Sequence, residues 1–236
     1  MNEWDAEYTR RGIPSSFRDE PSGVLTWALD NWQHLTGNTK PKTAVDIGCG
    51  TGRNAVYMAN MGIEVVAFDS SKAAILSAQT RAANANVTLP LTFINQDLVD
   101  GIPAKDRQVD FAVDIFVYKH QLLPSSRKAY RHELNRVLKL GGRLLVSLAE
   151  HEDGYYAACP DLKVSEVGNP RTILDPVAGV GSVLFSLEEL IAEMADLFTL
   201  EMVWHKSKLG IMHQEQYLRH TLATIWHLKE NQDGTA

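Results

Sequence analysis

The stretch that most constrains the fold runs from Ala44 to Asn54, where an apolar segment leads directly into three glycines at alternate positions. Ala44–Ile47 has the composition of a buried strand, and a helix-like segment begins at Arg53. A strand that turns on glycines into a helix N-terminus leaves bare backbone against which a small ligand can lie. The stretch therefore predicts a ligand shelf.

Strands and helices alternate around this shelf along most of the chain. Further strands are predicted at 63–68, 91–95, 109–117, 143–149, 200–205 and 216–227, and helices at 24–35, 53–61, 71–84, 127–139 and 187–197. Ser71, Ser125 and Ser186 are the expected helix caps, Gly141-Gly142 the expected end of the fourth helix, and Gly210 the expected turn between the last two strands. This rhythm indicates an α/β fold with a doubly wound, mostly parallel sheet of seven strands, in which the last strand is antiparallel.

Residues 1–236 are expected to form a single domain in which two segments depart from the alternation. Residues 1–36 are an arm and a helix, and residues 150–185 are a proline-interrupted insertion that leaves from the ligand edge of the sheet. We expect both to line the pocket for a second ligand. Their candidate side chains are the aromatic residues Tyr8, Phe17, Tyr155, Tyr156 and Phe185, and the arginines Arg11, Arg18 and Arg171, which could grip a carboxylate.

Composition limits the possible partners and the setting of the protein. The net charge of -6 argues against broad binding to nucleic acid, which needs clustered lysine and arginine. Neither Cys49 nor Cys159 belongs to a CxxC pair, so no zinc site or disulfide scaffold is expected. The polar start lacks the apolar core of a signal peptide, and no apolar run approaches the ~20 residues of a membrane span. A cytoplasmic protein is therefore the expectation.

Acidic residues stand where the predicted strands end, and in such sheets ligands bind off these carboxyl ends. Asp69 ends the second strand, 17 residues after Gly52, where a carboxylate can accept both hydroxyls of a ribose. Asp97, after the third strand, is placed to accept a hydrogen bond from an adenine amino group. Asp46 puts negative charge below the glycines, where the cation of a ligand can feel it.

These motifs together resemble the class I S-adenosylmethionine-dependent methyltransferases. Val45–Asn54 looks like the first motif of that family, Asp69 like its acidic second motif and Asp97-Leu98 like its adenine-side motif. Residues 109–120 and 136–144 resemble its fourth strand and its turn into the fifth strand. The arm and the chain length are also similar to the tellurite-resistance and thiopurine-type small-molecule branch.

The resemblance implies S-adenosylmethionine as the cofactor. The glycine order agrees, because Gly48, Gly50 and Gly52 form G-x-G-x-G, whereas nicotinamide and flavin sites use G-x-G-x-x-G to receive a pyrophosphate. The residues predicted to bind the cofactor are Asp46, Gly48, Gly50, Gly52, Asn54, Asp69, Ser70, Asp97, Leu98 and Asp114.

The leading interpretation is transfer of a methyl group to a small molecule by in-line displacement. His120 is the first candidate for a general base, ahead of His151 and His213, because its loop borders both ligands in the family. Three alternatives remain open: a methyltransferase of RNA or protein, a nicotinamide-dependent oxidoreductase, and a non-catalytic module that binds S-adenosylmethionine. The segment Asp114–Val117 lacks the Asn/Asp-Pro-Pro-Tyr/Phe signature of methyltransferases that act on nucleic-acid amino groups.

Overall fold

The computed structural model describes residues 3–10, 17–88, 90–164 and 170–229. The helices in this part of the chain are α1 (Glu3–Arg10), α2 (Gly23–Asp30), α3 (Trp32–Thr36), α4 (Arg53–Asn60), α5 (Lys72–Asn84), α6 (Pro124–Val137) and α7 (Leu187–Met194). The strands are β1 (Thr43–Ile47), β2 (Glu64–Asp69), β3 (Leu91–Asn95), β4 (Val109–Ile115), β5 (Leu138–Ala149), β6 (Thr172–Leu174), β7 (Gly181–Val183), β8 (Phe198–Met212) and β9 (Glu215–Leu228).

Seven of these strands form one sheet in the order β3-β2-β1-β4-β5-β9-β8. Strands β1 to β5 run parallel, and β9 is antiparallel to both of its neighbours. The predicted α/β fold, with a mostly parallel sheet and an antiparallel last strand, is confirmed. Because the order reverses beside β1, the ends of β1 and β4 border a crevice in which ligands of doubly wound sheets bind.

Helices cover both faces of the sheet. Leu134 of α6 and Leu190 of α7 belong to the apolar core on one face, and Leu25 of α2 belongs to the core on the other. Successive strand residues point to opposite faces, so Ile225 and Trp226 of β9 join different cores. Burial on both faces explains why β1 and β4 are largely apolar rather than alternating, with aspartates as the charged residues in them.

Strand β8 extends well beyond its predicted range, whereas β9 matches its prediction to within one residue at each end, and the two form a long hairpin. Strand β5 pairs with β9 only as far as Ala149 and Thr221, whereas β8 and β9 stay paired to Met212 and Glu215. The residues past this point form a two-stranded ribbon, 207–220, that projects beyond the carboxyl edge of the sheet. The predicted turn at Gly210 is wrong, because the turn lies at His213-Gln214, where both φ angles are positive, 47° and 73°.

Two other local predictions are wrong, one at each end of α6. Ser125 does not cap α6, which begins one residue earlier at Pro124, a residue suited to a first helical position. Gly141-Gly142 do not end the helix, since β5 begins directly at Leu138 and contains both glycines. The pairing of β5 with β4 shifts register across them, and Gly141 has a φ of 77°, so the pair forms a bulge.

The insertion 150–185 is more regular than the sequence indicated. Its described part contains the hairpin β6–β7 and contributes a small apolar cluster with Tyr155, Ile173 and Met212 of the ribbon. Its backbone also bonds to the ribbon, where the Gly154 N–H donates to the carbonyl of Leu218 over 2.9 Å. The insertion therefore supports the ribbon. No helix in the described residues combines the length and apolarity needed to cross a bilayer.

A buried ionic cluster joins α6 to α7. The Glu193 carboxylate accepts hydrogen bonds from the guanidinium of Arg127, from that of Arg131 over 3.2 Å and from the Tyr118 hydroxyl over 2.9 Å. Arg127 is only 1% exposed and also donates to the carbonyls of Gln121 and Leu122. The cluster thereby ties the loop after β4 to both helices.

We expect Glu193→Ala to lower the free energy of unfolding by about 3 kcal/mol, because it leaves the buried Arg127 cation without its carboxylate. Urea unfolding followed by circular dichroism measures this change. Glu152→Ala, at an exposed carboxylate, is the matched control and should change stability by less than about 0.5 kcal/mol. Equal effects of the two variants would contradict the assignment.

Candidate active site

A cavity of about 450 Å³ opens at the carboxyl edge of the sheet. Its walls come from the loops after β1, β2, β3 and β4, from the arm before α2, and from the ribbon. The structure thus joins segments that are far apart in sequence, as the strand-end positions predicted. The predicted site residues that line the cavity are Asp46, Gly48, Gly50, Asn54, Asp69, Ser70, Asp97, Leu98 and His120.

The glycine loop is shaped by close approaches from two sides. A Cβ on Gly48 would lie 2.4 Å from a methyl carbon of Val117, and one on Gly50 would lie 2.5 Å from the Tyr8 hydroxyl oxygen. Both residues have positive φ, 59° and 54°. Only glycine tolerates both the positive φ and the close neighbouring atoms. The loop therefore presents bare backbone to the cavity, between the β4 loop and α1.

The Asp69 carboxylate holds this loop in place. One oxygen accepts the N–H of Gly50 over 2.9 Å and the other accepts the N–H of Ser71 over 2.8 Å. Burial raises the pKa of Asp69, although these two backbone donors oppose the rise. Each carboxylate oxygen keeps a second lone pair, which leaves the predicted ribose contact geometrically open.

Asp46 brings a buried carboxylate to the cavity. It is 2% exposed, and its Oδ2 has no hydrogen-bond partner among the described residues. Burial raises its pKa from 3.8 to about 7, and the charge of Arg53, which also lines the cavity, opposes the rise. A buried oxygen without a partner is costly in the free protein, so Asp46 is suited to a ligand that brings a donor or a positive charge.

Asp97 occupies the far end of the cavity, at the predicted adenine side. Its carboxylate is exposed and accepts the N–H of Val99 over 3.1 Å, which caps a short 3-10 helix. Leu98 is half-buried against the core. Gln96 and Ser70 complete this end of the lining.

Two residues predicted to bind the cofactor do not line the cavity. Asp114 is fully buried beneath the loop after β4, where its oxygens accept the N–H groups of Val117 and Tyr118 and the hydroxyl of Tyr130 over 2.7 to 3.1 Å. Asp114 lies at a strand end as predicted, but both of its carboxylate oxygens accept hydrogen bonds from the protein itself. Gly52 lies at the start of α4, where a Cβ would meet that of Ala78 at 2.7 Å, so it serves helix packing.

His120 lines the cavity as a neutral imidazole. Its Nδ1 lies 2.8 Å from the carbonyl oxygen of Gly181, and its ring packs edge-on against Trp4. Burial and the charge of Lys119 lower the His120 pKa to about 3. Nδ1 must therefore donate to the carbonyl, and Nε2 is left as a hydrogen-bond acceptor.

The other predicted candidates divide between the cavity and the protein interior. Tyr8, Arg18 and Tyr156 line the cavity. Outside its lining lie His151, which is exposed; His213 and Tyr155, which bond to Asp175; Phe17, which packs on Tyr8; Phe185, in the core; and Arg171, which pairs with Asp161. Arg11 is outside the described residues.

The sequence interpretation missed the residues at the cavity end formed by the ribbon. Lys119 follows β4. Lys206, just before the ribbon, and Lys208 are two residues apart on β8, and Lys208 pairs with Arg219 of β9. The spacing of two residues between Lys206 and Lys208 indicated that both side chains point to the same face of a strand. The predicted end of that strand at residue 205 concealed it.

Comparison with known proteins finds a family match over the segment that contains the glycine loop. Residues 44–142 match the family model described as Methyltransferase domain. An uncharacterized methyltransferase of Synechocystis sp. is 30% identical over 98 residues, which are 42% of this chain and 42% of the relative. The match thus spans less than half the length of that curated relative.

Solved structures share the fold over nearly the whole chain. The Burkholderia thailandensis 1,6-didemethyltoxoflavin-N1-methyltransferase, with 1,6-didemethyltoxoflavin and S-adenosylhomocysteine bound, has a TM-score of 0.68 and 17% identity, covering 97% of this chain and 86% of its own. The N-methyltransferase NodS from Bradyrhizobium japonicum, in complex with S-adenosylhomocysteine, has a TM-score of 0.62 and 14% identity, covering 97% and 100%. Residues 44–142 therefore match a methyltransferase domain, and the chain shares the Rossmann-like fold of these solved methyltransferases.

Proposed function

We propose that the protein is an enzyme that transfers a methyl group from S-adenosylmethionine to a small-molecule acceptor. The observation that carries the proposal is the cavity itself, in which backbone of the glycine loop and the unpartnered Asp46 oxygen face the same space. The domain match over residues 44–142 supports it independently.

The residues present fit S-adenosylmethionine. The molecule carries an ammonium and a sulfonium, and Asp46 supplies the negative charge and the free acceptor that a cation needs. Asp69 offers lone pairs to ribose hydroxyls, and Asp97 offers them to an adenine amino group. When bound, S-adenosylmethionine supplies an electrophilic methyl group.

The task of the chain is to position the acceptor and exclude water. The acceptor atom must come to about 3–3.5 Å from the methyl carbon, in line with the leaving sulfur. His120 Nε2 is an acceptor at neutral pH, and its low pKa of about 3 makes it a weak base. We assign it the role of orienting an O–H or N–H of the acceptor by a hydrogen bond.

A small acceptor is favoured over RNA or protein. Trp4 and Tyr8 of α1 lie in the cavity wall against the loops after β4 and β1, so the site is roofed by its own chain. The net charge of -6 counts against a nucleic-acid partner. The likeness of the arm to the tellurite-resistance and thiopurine-type branch, and the cytoplasmic setting, remain predictions.

The same site argues against a nicotinamide cofactor. A pyrophosphate would bring negative charge to the loop above Asp46 and Asp69, whose carboxylates are already buried there. Isothermal titration separates the two functions: we expect binding of S-adenosylmethionine and none of NADH. Binding of NADH alone would overturn the proposal.

We expect Asp69→Ala to weaken S-adenosylhomocysteine binding by about 10- to 150-fold, corresponding to ~1.5–3 kcal/mol for hydrogen bonds to a charged group. Titration calorimetry on the folded variant measures the loss. Asp100→Ala, an exposed carboxylate outside the cavity lining, is the control and should bind like the wild type. A folded Asp69→Ala protein with unchanged affinity would show that the ribose contact is misplaced.

We expect Asp46→Asn to melt at a higher temperature than the ligand-free wild type at pH 8, while binding S-adenosylmethionine more weakly. The folded protein holds the Asp46 proton up to a pKa of about 7, against 3.8 ordinarily, so ionisation costs wild-type stability as pH rises through this window. The difference in melting temperature should therefore shrink toward pH 5. If the variant is less stable than the wild type at pH 8, the conclusion that the buried Asp46 carboxylate destabilises the ligand-free protein is wrong.

A further inference from the structure

Charge is unevenly distributed between the two halves of the cavity. Three acidic lining residues, Asp46, Asp69 and Asp97, lie at the ends of β1, β2 and β3, with Arg53 as the cation beside Asp46. The opposite half, formed by the loop after β4 and by β8 and β9, is lined by cationic residues, namely Lys119, Lys206, Lys208 and Arg219. The first half suits a cationic donor molecule, and the second suits a molecule of opposite charge.

Lys119 is the strongest observation in the cationic half. Its side chain is 1% exposed, it lines the cavity, and its Nζ has no hydrogen-bond partner among the described residues. The Nζ lies 3.6 Å from the centroid of the Tyr156 ring, a contact that stabilises a cation but leaves its donors unused. An ammonium with three donors and no acceptor is costly to bury without a partner.

The neighbouring carboxylates do not supply that partner. Asp153 accepts from Arg219 over 2.8 and 3.0 Å and from the backbone of Tyr156 and His220. Asp175 is likewise engaged, by the Tyr155 hydroxyl and by His213. Burial and the charge of Arg219 lower the Lys119 pKa to about 7, while the charges of both carboxylates oppose this.

The ribbon adds positive charge to the same space. Lys208 pairs with Arg219 across the hairpin and lies two residues from Lys206. Burial and the charges of Arg18, Lys206 and Arg219 lower the pKa of Lys208. Mutual repulsion of this kind is relieved by an anion between them. Aromatic rings complete the walls of this half, namely those of Trp4, Phe116, Tyr156 and Trp204.

The backbone next to Lys119 is also strained. Phe116 has a φ of 71°, a conformation that a bulky side chain rarely adopts. Asp114 stabilises the turn by accepting the N–H groups of Val117 and Tyr118. Backbone strain of this kind clusters at active and ligand-binding sites.

We infer that Lys119, with the cations of the ribbon, binds an oxyanion of the methyl acceptor, and that the acceptor is a small molecule with an aromatic or planar apolar body. This inference rests on the proposed function and names its substrate class. The oxyanion accepts from the unused Lys119 donors, and the aromatic walls contact the apolar body.

The test compares benzoate, phenyl phosphate and the neutral analogue benzamide as ligands of the full chain saturated with S-adenosylhomocysteine. We expect at least one anion to bind more tightly than benzamide, by about tenfold or more. Whichever of the two binds better tells whether the oxyanion is a carboxylate or a phosphate. Equal or tighter binding of benzamide would overturn the inference.

Lys119→Met tests the residue, because it keeps the length of the side chain and removes the buried charge. We expect it to fold, to melt higher than the wild type, and to lose the preference for the anion over benzamide. Lys128→Met, at an exposed lysine of α6 outside the cavity, is the control and should keep that preference. A folded Lys119→Met protein that retains the full preference would overturn the assignment.

A second variant and a second titration keep the test decisive. Lys208→Met removes an exposed charge of the ribbon, cannot collapse the core, and should weaken anion binding several-fold. The anions are also titrated without the nucleoside. If the wild type binds no S-adenosylhomocysteine, the proposed function fails, whereas the titration without nucleoside still shows whether the cationic half selects an oxyanion.

Discussion

The carboxylate of Asp69 is the interaction on which the site depends. Its two oxygens accept the N–H groups of Gly50 and Ser71, so one buried group joins the glycine loop to the start of α5. The Ser71 hydroxyl in turn donates to Asp5 of α1 and accepts the N–H of Ala74. This chain of hydrogen bonds continues from the end of β2 through the α5 cap to the helix that carries Trp4 and Tyr8 into the cavity wall.

Two kinds of buried carboxylate therefore occur at the same sheet edge. Asp69 and Asp114 are engaged by backbone donors and shape the loops after β1 and β4. Among the described residues, Asp46 keeps an oxygen without a hydrogen-bond partner, and the ammonium of Lys119 on the other side of the cavity likewise has none. Buried polar groups without partners are expected where a bound ligand supplies the missing hydrogen bonds. The opposite charges of Asp46 and Lys119 indicate one cationic and one anionic ligand.

The order of the elements could be predicted because the signals are local. The glycines after β1 and the apolar run of β2 each act through the residues next to them, and Ser71 caps α5 as expected. The failures arose where a distant partner decides the conformation. Gly141-Gly142 has the composition of a helix end, but pairing with β4 accommodates it as a bulge. The hairpin β8–β9 continues past Gly210 because each strand provides the partner of the other, which single-strand patterns do not show.

The sequence by itself determined the strand-end positions of Asp46, Asp69 and Asp97 and the glycine spacing that leaves the shelf open, since backbone preference and the period of strands fix these within a few residues. Only the tertiary structure decided how each carboxylate is used. Asp114 stands at a strand end like the others, yet Tyr130 of α6 takes up its bonding capacity. Tertiary structure also decided that Lys119 and Arg219, 100 residues apart, lie against the same Tyr156 ring, because the long-range pairing of β5 with β9 brings the ribbon to the β4 loop. Local sequence determines the conformation of each element, whereas the hydrogen-bond partner of a buried charged group comes from an element that is distant in sequence.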